Sequence, residues 1–242
     1  FAGMIIARAL IEGICIDSHL TTSFYKQILH QEVNLSDLKD VDEELFNSLQ
    51  SLIDNDVDSL CLTFTSSEDE FGTCKTVPLK ENGDTIDVKN ENKEEYIQLL
   101  TNYKLINSIQ KQLNEFCTGF SSLISNHDIK IFTPNELDLL LCGLAKIDVD
   151  DFKNHTEFIH PYSAETHVVK LFFDVISKWN NEQLQMLLLF MTGSSRVPAN
   201  GFKEFCEMSG QSLKIAPGGE KWLLPVARTC FNRLDLPSYE TE

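Results

Sequence analysis

The segment LPVARTCFNRLDLP at 224–237 places one cysteine, Cys230, between two arginines. A thiolate is the nucleophilic form of cysteine, and Arg228 and Arg233 would stabilise it if their side chains approach the sulfur. The segment predicts a loop that leads into a strand, and reactive groups are often carried on loops held by a rigid scaffold. Free cysteine is also common in protein cores, and no histidine partner is recognisable beside Cys230. The residues alone therefore leave two interpretations open, a nucleophile and a core thiol.

The other cysteines and the histidines form no metal or redox motif. The seven cysteines are scattered, with no two of them within four positions, and the six histidines show no HExxH spacing. We therefore expect no metal site and no cofactor. Scattered cysteines of odd number indicate reduced thiols in an intracellular protein, and we expect the cytoplasm, with the nucleus as the second choice.

Composition and charge exclude several classes of function. An apolar fraction of 42% over 242 residues is that of an ordinary globular protein, and no apolar run is long enough for membrane insertion. The net charge of −17 argues against nucleic acid as a partner. Between residues 32 and 70, twelve acidic residues face one basic residue, Lys39, which indicates either a solvated surface or a docking face for a basic protein. The chain opens at Phe1 in patterned sequence, and we read it as a fragment.

Hydrophobic periodicity predicts that the first part of the chain is mostly helical. Asp42 caps a helix that reaches about residue 54, and a longer helix begins after Asn92 and stops at Gly119. A third helix is predicted at 133–143, where a capping threonine precedes a proline and a glycine ends the apolar run.

A small β element is predicted between the first helices and the long one. The stretch SLCLTF at 59–64 is rich in residues that favour strands. Asn82 and Gly83 lie between two alternating segments, and this dipeptide is a strong signal for a hairpin turn.

The character of the sequence changes after Gly143. Residues 145–165 are polar and interrupted by a proline, which predicts a connector between two packed units. Two helices are predicted at about 164–178 and 181–191, followed by a loop, a short strand SLKIA and a last strand CFNRLDL. This second unit is a small α/β module, with Cys230 where the loop enters the last strand.

The segment around Cys230 resembles the active-site loop of HECT-type ubiquitin-protein ligases. Other stretches resemble successive landmarks of that family in the same order, among them FAGMIIARALIEG, FYKQILHQEVNLSDLKDVDEELFNSL, NELDLLLCGLAKIDVDDF and LLLFMTGSSRVPANGF. The resemblance covers essentially the whole chain and implies an α+β, bilobal domain. A mainly helical N lobe with a small β element would span 1–145 and contain a conjugating-enzyme-binding subdomain at about 42–105. A hinge and a small α/β C lobe would span 146–242.

By this resemblance, Cys230 accepts ubiquitin from a conjugating enzyme as a thioester and transfers it to a substrate lysine. Thr229, Phe231 and Asn232 match the family loop and, together with Arg228, would support it. Arg228 stands where the family commonly has a histidine. A guanidinium group stabilises negative charge but is not a base at neutral pH, so any proton transfer by that histidine is not carried over to this chain.

The resemblance also implies two binding sites on the first part of the chain. A groove for the conjugating enzyme would be lined by Leu45, Ser48, Leu49, Leu62, Tyr96 and Leu100. By their helical spacing, Leu45, Leu49 and Tyr96 fit core packing equally well. Phe71 matches a residue of a second, non-covalent ubiquitin site. The implied partners are a ubiquitin-conjugating enzyme, ubiquitin and protein substrates.

Three other readings stay open. A module that docks a conjugating enzyme or ubiquitin but transfers nothing would be compatible with Arg228 in place of histidine. A cysteine hydrolase would need a histidine partner for Cys230 that the sequence does not identify. A structural scaffold would need only inert thiols. A reducible ubiquitin adduct on Cys230 would separate a transferase from the binding module and the scaffold.

Overall fold

Two groups of elements make up the fold, one mainly helical and one built around a mostly parallel sheet. The computed structural model describes residues 1–18, 20–70 and 73–240. The first unit comprises 1–7 and 19–135, and the second comprises 8–18 and 136–242. The α+β class predicted from the sequence is confirmed.

The helices and strands follow the chain in a simple order. The helices are α1 Ala2–Glu12, α2 Thr22–Ile28, α3 Glu43–Asp54, α4 Lys93–Leu105, α5 Gln110–Ser121, α6 Asn126–Ile129, α7 Pro134–Cys142, α8 Val149–Asn154, α9 His167–Ile176, α10 Asn181–Thr192 and α11 Gly201–Ser209. The strands are β1 Thr65–Glu70, β2 Thr73–Pro78, β3 Thr156–Phe158, β4 Leu213–Pro217, β5 Val226–Arg228 and β6 Arg233–Leu236. No helix in the described part of the chain is both long and apolar enough to cross a bilayer.

A small subdomain of the first unit packs α3 and α4 around one apolar core. The core is formed by buried side chains of both helices, of the segment between them and of the turn before α3, namely Leu38, Leu49, Val57, Phe64, Val88, Tyr96, Ile97, Leu100 and Leu105. The predicted cap is confirmed, because Asp42 Oδ1 accepts a hydrogen bond from the backbone N–H of Leu45 at 2.9 Å. The helix α3 therefore begins where the sequence indicates.

The predicted β element is displaced along the chain. Residues 59–64 are not a strand, because Cys61 adopts a positive φ of 52° that an extended chain does not allow. The hairpin is instead formed by β1 and β2. Asn82 does take the left-handed conformation, but Gly83 begins a short 3₁₀ turn. A Cβ on Gly83 would lie 2.4 Å from the Phe64 carbonyl oxygen, so this glycine serves a close backbone approach.

The predicted long helix is broken into two helices. The backbone leaves helical geometry at Ile106, where φ is −128°, and the chain re-enters a helix at Gln110. Gly119 lies within α5 and does not end it. A Cβ on Gly3 would lie 2.0 Å from the Phe116 carbonyl oxygen, and a Cβ on Gly119 would lie 3.3 Å from the Met4 nitrogen. The backbones of α1 and α5 therefore approach closely at these two glycines.

The second unit is built on a four-stranded sheet with the order β3–β4–β6–β5. The strands β3, β4 and β6 are parallel, and the short β5 pairs antiparallel to β6. The sheet and the helices α8 to α11 share one apolar core. The sequence did not predict β5 or α11.

The predicted connector at 145–165 contains ordered elements of the second unit. Asp148 caps α8 by accepting from the backbone N–H groups of Asp150 at 2.8 Å and Asp151 at 3.2 Å. Phe152 of α8 is buried in the core of the unit. The segment is polar because short capped turns and an edge strand are rich in polar residues, and not because it is unpacked.

The second unit is discontinuous in sequence, because residues 8–18 belong to it. The backbone N–H of Ile16 donates to the Leu141 carbonyl oxygen at 2.8 Å. Arg196 Nε donates to Asp17 Oδ1 at 3.1 Å. Leu144 and Val197 also form a backbone bridge in this unit. The second unit begins its longer segment at residue 136, so the predicted boundary at 145/146 falls within it.

Candidate active site

Cys230 lies at the tip of the connection between β5 and β6. The residues Thr229–Phe231 form a single 3₁₀ turn, and the sulfur-bearing residue is exposed to solvent. Helix α10 contacts β5, the 3₁₀ turn and β6. The thiol is therefore held on a short loop whose two ends are strands of the sheet, which is an arrangement that presents a reactive group in a fixed place.

Exposure distinguishes Cys230 from most other described cysteines. Burial raises the pKa of the thiols of Cys15, Cys117 and Cys206, which lowers the thiolate fraction of each at neutral pH. Among the six cysteines that the structure describes as free, Cys61 and Cys230 are the exposed ones. The core-thiol interpretation of Cys230 is wrong.

Asn232 anchors the loop from below. Its backbone is left-handed, with φ 48° and ψ 40°, and its side chain is buried. The side-chain amide Nδ2 donates to Ser209 Oγ at 3.2 Å and to the Gln211 carbonyl oxygen at 3.4 Å. Asparagine tolerates this backbone region far better than most residues, so one residue supplies both the reversal of the chain and its attachment to the end of α11.

Replacement of Asn232 by alanine should lower the free energy of unfolding by about 2 kcal/mol, because it removes two partly buried hydrogen bonds and strains the left-handed backbone. Replacement by glycine removes the bonds but keeps the backbone free, so its loss should be smaller. Urea denaturation of both variants measures the difference. Equal stabilities for wild type and the alanine variant would show that this residue does not anchor the loop.

A second amide holds the loop at the cysteine itself. Gln211 Nε2 donates to the backbone carbonyl oxygen of Cys230 at 3.1 Å. Gln211 precedes β4, so it ties the loop to the strand next to β6. Ser209, Gln211 and Asn232 thus form one polar cluster beneath the thiol.

Both arginines that flank the cysteine in sequence donate to the same carboxylate. Arg228 Nε donates to Asp235 Oδ2 at 2.7 Å, and Arg233 Nε donates to Asp235 Oδ1 at 2.5 Å. Residues two apart on a strand point to the same face, which brings Arg233 and Asp235 together, and Arg228 is the direct cross-strand neighbour of Arg233. One buried carboxylate therefore engages both guanidinium groups.

The remaining loop residues are at the surface. Thr229 and Phe231 flank Cys230 in the 3₁₀ turn, and both are exposed. Trp222, Leu224 and Val226 are exposed on the segment that precedes the turn. Exposed apolar side chains therefore lie on the same stretch of chain as the cysteine.

The six positions predicted to bind a conjugating enzyme fall into two groups. Leu49, Tyr96 and Leu100 lie in the core of the small subdomain. Leu45 and Leu62 are half-buried at its edge, and Ser48 is exposed on α3. The structure therefore brings the six residues into one subdomain, while leaving direct access to three of them.

Two further predictions concern a second ubiquitin site and the absence of a metal site. Phe71, predicted to bind a second ubiquitin, lies outside the described residues. Within the described ranges, no three His, Cys, Asp or Glu side chains are grouped so that they could hold a metal ion.

A sequence model of the HECT-domain (ubiquitin-transferase) family matches residues 1–242, the whole chain. The chain belongs to the HECT family. It is 42% identical over 242 residues to the human E3 ubiquitin-protein ligase NEDD4, of which it covers 18%. It is 39% identical over 243 residues to the E3 ubiquitin-protein ligase RSP5 of Emericella nidulans and 41% identical over 244 residues to the ligase pub1 of Schizosaccharomyces pombe. All of this chain is matched in each case, and it spans 30% and 32% of those two relatives.

Sequence reasoning missed the residues that fix this HECT loop, Ser209, Gln211 and Asp235. The alternation RLDL carried a signal for Asp235, because a period of two places it beside Arg233 in any strand. The buried position of Asp235 and its bond to Arg228 depend on β5, which was not predicted. Nothing in the sequence marks Gln211 as a partner of the Cys230 carbonyl.

Proposed function

We propose that this chain is the thioester-forming part of a ubiquitin-protein ligase, with Cys230 as its acceptor. The observation that carries the proposal is an exposed thiol on a loop anchored to three strands, in a chain that matches the HECT family along its whole length. The relatives named above are E3 ubiquitin-protein ligases, which supports the same assignment.

The proposed reaction is a pair of acyl transfers. The Cys230 thiolate attacks the carbonyl carbon of the thioester between ubiquitin and the conjugating enzyme. A new carbon–sulfur bond forms, the old one breaks, and the enzyme leaves as a thiolate. A substrate lysine amine then attacks the thioester on Cys230, loses a proton and releases the cysteine. A thioester is already activated, so the site needs approach and orientation more than a dedicated base.

The proposed partners are a ubiquitin-conjugating enzyme, ubiquitin and protein substrates, in the cytoplasm or the nucleus. We place the conjugating enzyme on the small subdomain at about 42–105. Ser48 is the exposed member of the predicted set, and Leu45 and Leu62 are the half-buried ones. The buried members, Leu49, Tyr96 and Leu100, would shape this surface from beneath without touching the partner.

The direct test mixes the full-length protein with a conjugating enzyme charged with ubiquitin. A transferase gives an adduct of the protein with ubiquitin that a thiol reductant removes. A binding module gives a complex but no adduct, and a hydrolase releases free ubiquitin with no acceptor lysine present. Non-reducing electrophoresis of the quenched mixture separates the three results.

We expect the acidic surface of the small subdomain to steer a partner with a basic face. Glu43, Glu44 and Asp54 are exposed at the two ends of α3. Their joint replacement by glutamine and asparagine should slow association at low ionic strength and have little effect near 0.5 M salt, because salt screens exposed charges over about 10 Å or less. Surface plasmon resonance with the conjugating enzyme, at two salt concentrations, measures the association rate.

The matched control removes three exposed charges from the second unit, Asp174, Glu182 and Glu207. This variant has the same net charge and should associate at the wild-type rate. If both variants slow association equally, the effect comes from total charge and not from a docking face. An unchanged association rate for the α3 variant would show that the acidic surface is a solvated surface and not a docking face.

A further inference from the structure

The neck of the Cys230 loop is formed by two residues of like charge. Arg228 is the last residue of β5, Arg233 is the first residue of β6, and the two are directly paired across the strands. Side chains in this relation are close neighbours, and like charges at such positions destabilise the pairing. The two cations therefore weaken the pairing at the base of the loop unless another group compensates them.

Asp235 is that group. Its carboxylate accepts from both guanidinium groups, one on each oxygen, and its residue is 6% exposed, whereas the Arg228 side chain is 56% exposed. A buried carboxylate is costly unless it is paired and hydrogen-bonded, and here both oxygens are occupied. The two arginines and the carboxylate therefore depend on one another.

The three residues close the loop at the point from which Cys230 projects. Only Thr229 separates Arg228 from the cysteine, and Phe231 and Asn232 separate the cysteine from Arg233. The Gln211 and Asn232 amides hold the loop from the side of β4 and α11, but neither acts on β5. Asp235 fastens the β5 side through its bond to Arg228.

We propose that Asp235 is a positioning residue for thioester transfer: it holds Arg228 and Arg233 together so that the loop presents Cys230 in one place. This inference rests on the proposed transferase function. It assigns Arg228 a role at the neck of the loop and not at the sulfur. A misplacement of about 1 Å in a reacting group costs up to about a hundredfold in rate, so loosening the neck should slow transfer strongly.

The test compares Asp235→Asn with wild type in the full-length protein. Single-turnover transfer of ubiquitin from a charged conjugating enzyme to Cys230 is followed at increasing enzyme concentration. We expect the maximal rate to fall about tenfold or more. The half-saturating concentration should stay the same, because docking on the first unit is untouched. The control Asp174→Asn, an exposed carboxylate of α9, should match wild type.

A second substitution tests the charge relation itself. Arg228→Gln in the Asp235→Asn background removes one of the two opposed cations and should recover at least half of the lost rate on a logarithmic scale. Thermal unfolding is measured for every variant, and rates are compared well below the lowest midpoint. If Asp235→Asn does not fold, Asp235→Glu, which keeps the charge but shifts it by one methylene, takes its place.

The outcomes separate this inference from the function on which it rests. A wild-type adduct with an unchanged Asp235→Asn rate would overturn the positioning role and leave the transferase standing. Absence of any adduct with wild type would overturn both. Hydrogen exchange of the peptide 226–236 needs no ubiquitin: faster exchange in Asp235→Asn than in Asp174→Asn is expected, and equal exchange would also overturn the inference.

Discussion

Replacement of Cys230 by alanine should abolish the reducible ubiquitin adduct of the full-length protein. Alanine has no nucleophilic atom, so the expected loss is complete and not a fraction of the rate. Docking of the conjugating enzyme should be unaffected, because the predicted docking residues belong to the first unit. Non-reducing electrophoresis measures the adduct, and surface plasmon resonance measures docking.

Cys61→Ala is the matched control, because Cys61 is also exposed. This variant should form the adduct at the wild-type rate. Cys230→Ser adds a chemical signature: a hydroxyl that accepts ubiquitin would give an ester that thiol reductants do not remove. If the adduct survives in Cys230→Ala and disappears in Cys61→Ala, the acceptor is Cys61 and the assignment of Cys230 is wrong.

Tyr96→Ala should lower the free energy of unfolding of the small subdomain by about 3–5 kcal/mol, the range for truncation of a large buried aromatic residue. Tyr96 is 7% exposed, and its ring meets that of Phe64 edge to face with 5.5 Å between centroids. Burial also raises the pKa of its hydroxyl, as expected in an apolar site. Chemical denaturation with a fluorescence or circular dichroism signal measures the change.

The expected destabilisation of Tyr96→Ala affects the choice of variant for locating the surface that docks the conjugating enzyme. If Tyr96→Ala is destabilised as expected, a loss of affinity in that variant would follow from the damaged core and would not identify a contact. Ser48→Arg on the exposed face of α3 is the sharper probe, since it should weaken docking while leaving the unfolding free energy within about 0.5 kcal/mol of wild type. Full stability of Tyr96→Ala together with lost docking would place Tyr96 at the interface after all.

Local signals in the sequence were good guides where one residue decides the outcome. Asp42 caps α3, Pro134 begins α7, and Gly143 takes a positive φ of 70° just after that helix ends. Each of these depends on the chemistry of a single side chain or on the lack of one. The strands β4 and β6 lie within a few residues of the stretches SLKIA and CFNRLDL that were predicted as strands.

The failures came from contacts between distant residues. Gly83 was predicted to form a hairpin turn, but a side chain is excluded there because the Phe64 backbone lies against it. Gly119 looked like a helix stop, but it lies inside α5 near the Met4 backbone. For the site, the position of Cys230 on a loop was predictable, and the alternation RLDL places Arg233 beside Asp235, whereas the bond from Arg228 to Asp235 required the pairing of β5 with β6. Local pattern does not contain that information.

The discontinuity of the second unit has a consequence for synthesis of the protein. Asp17 and its partner Arg196 are 179 residues apart in sequence. At about 5–20 residues per second, a ribosome needs roughly 9–36 s to make the chain between them. Ile16 and Asp17 therefore leave the ribosome long before Leu141 and Arg196, to which they bond in the finished fold. The unit that bears the thiol is assembled only after most of this chain has been translated.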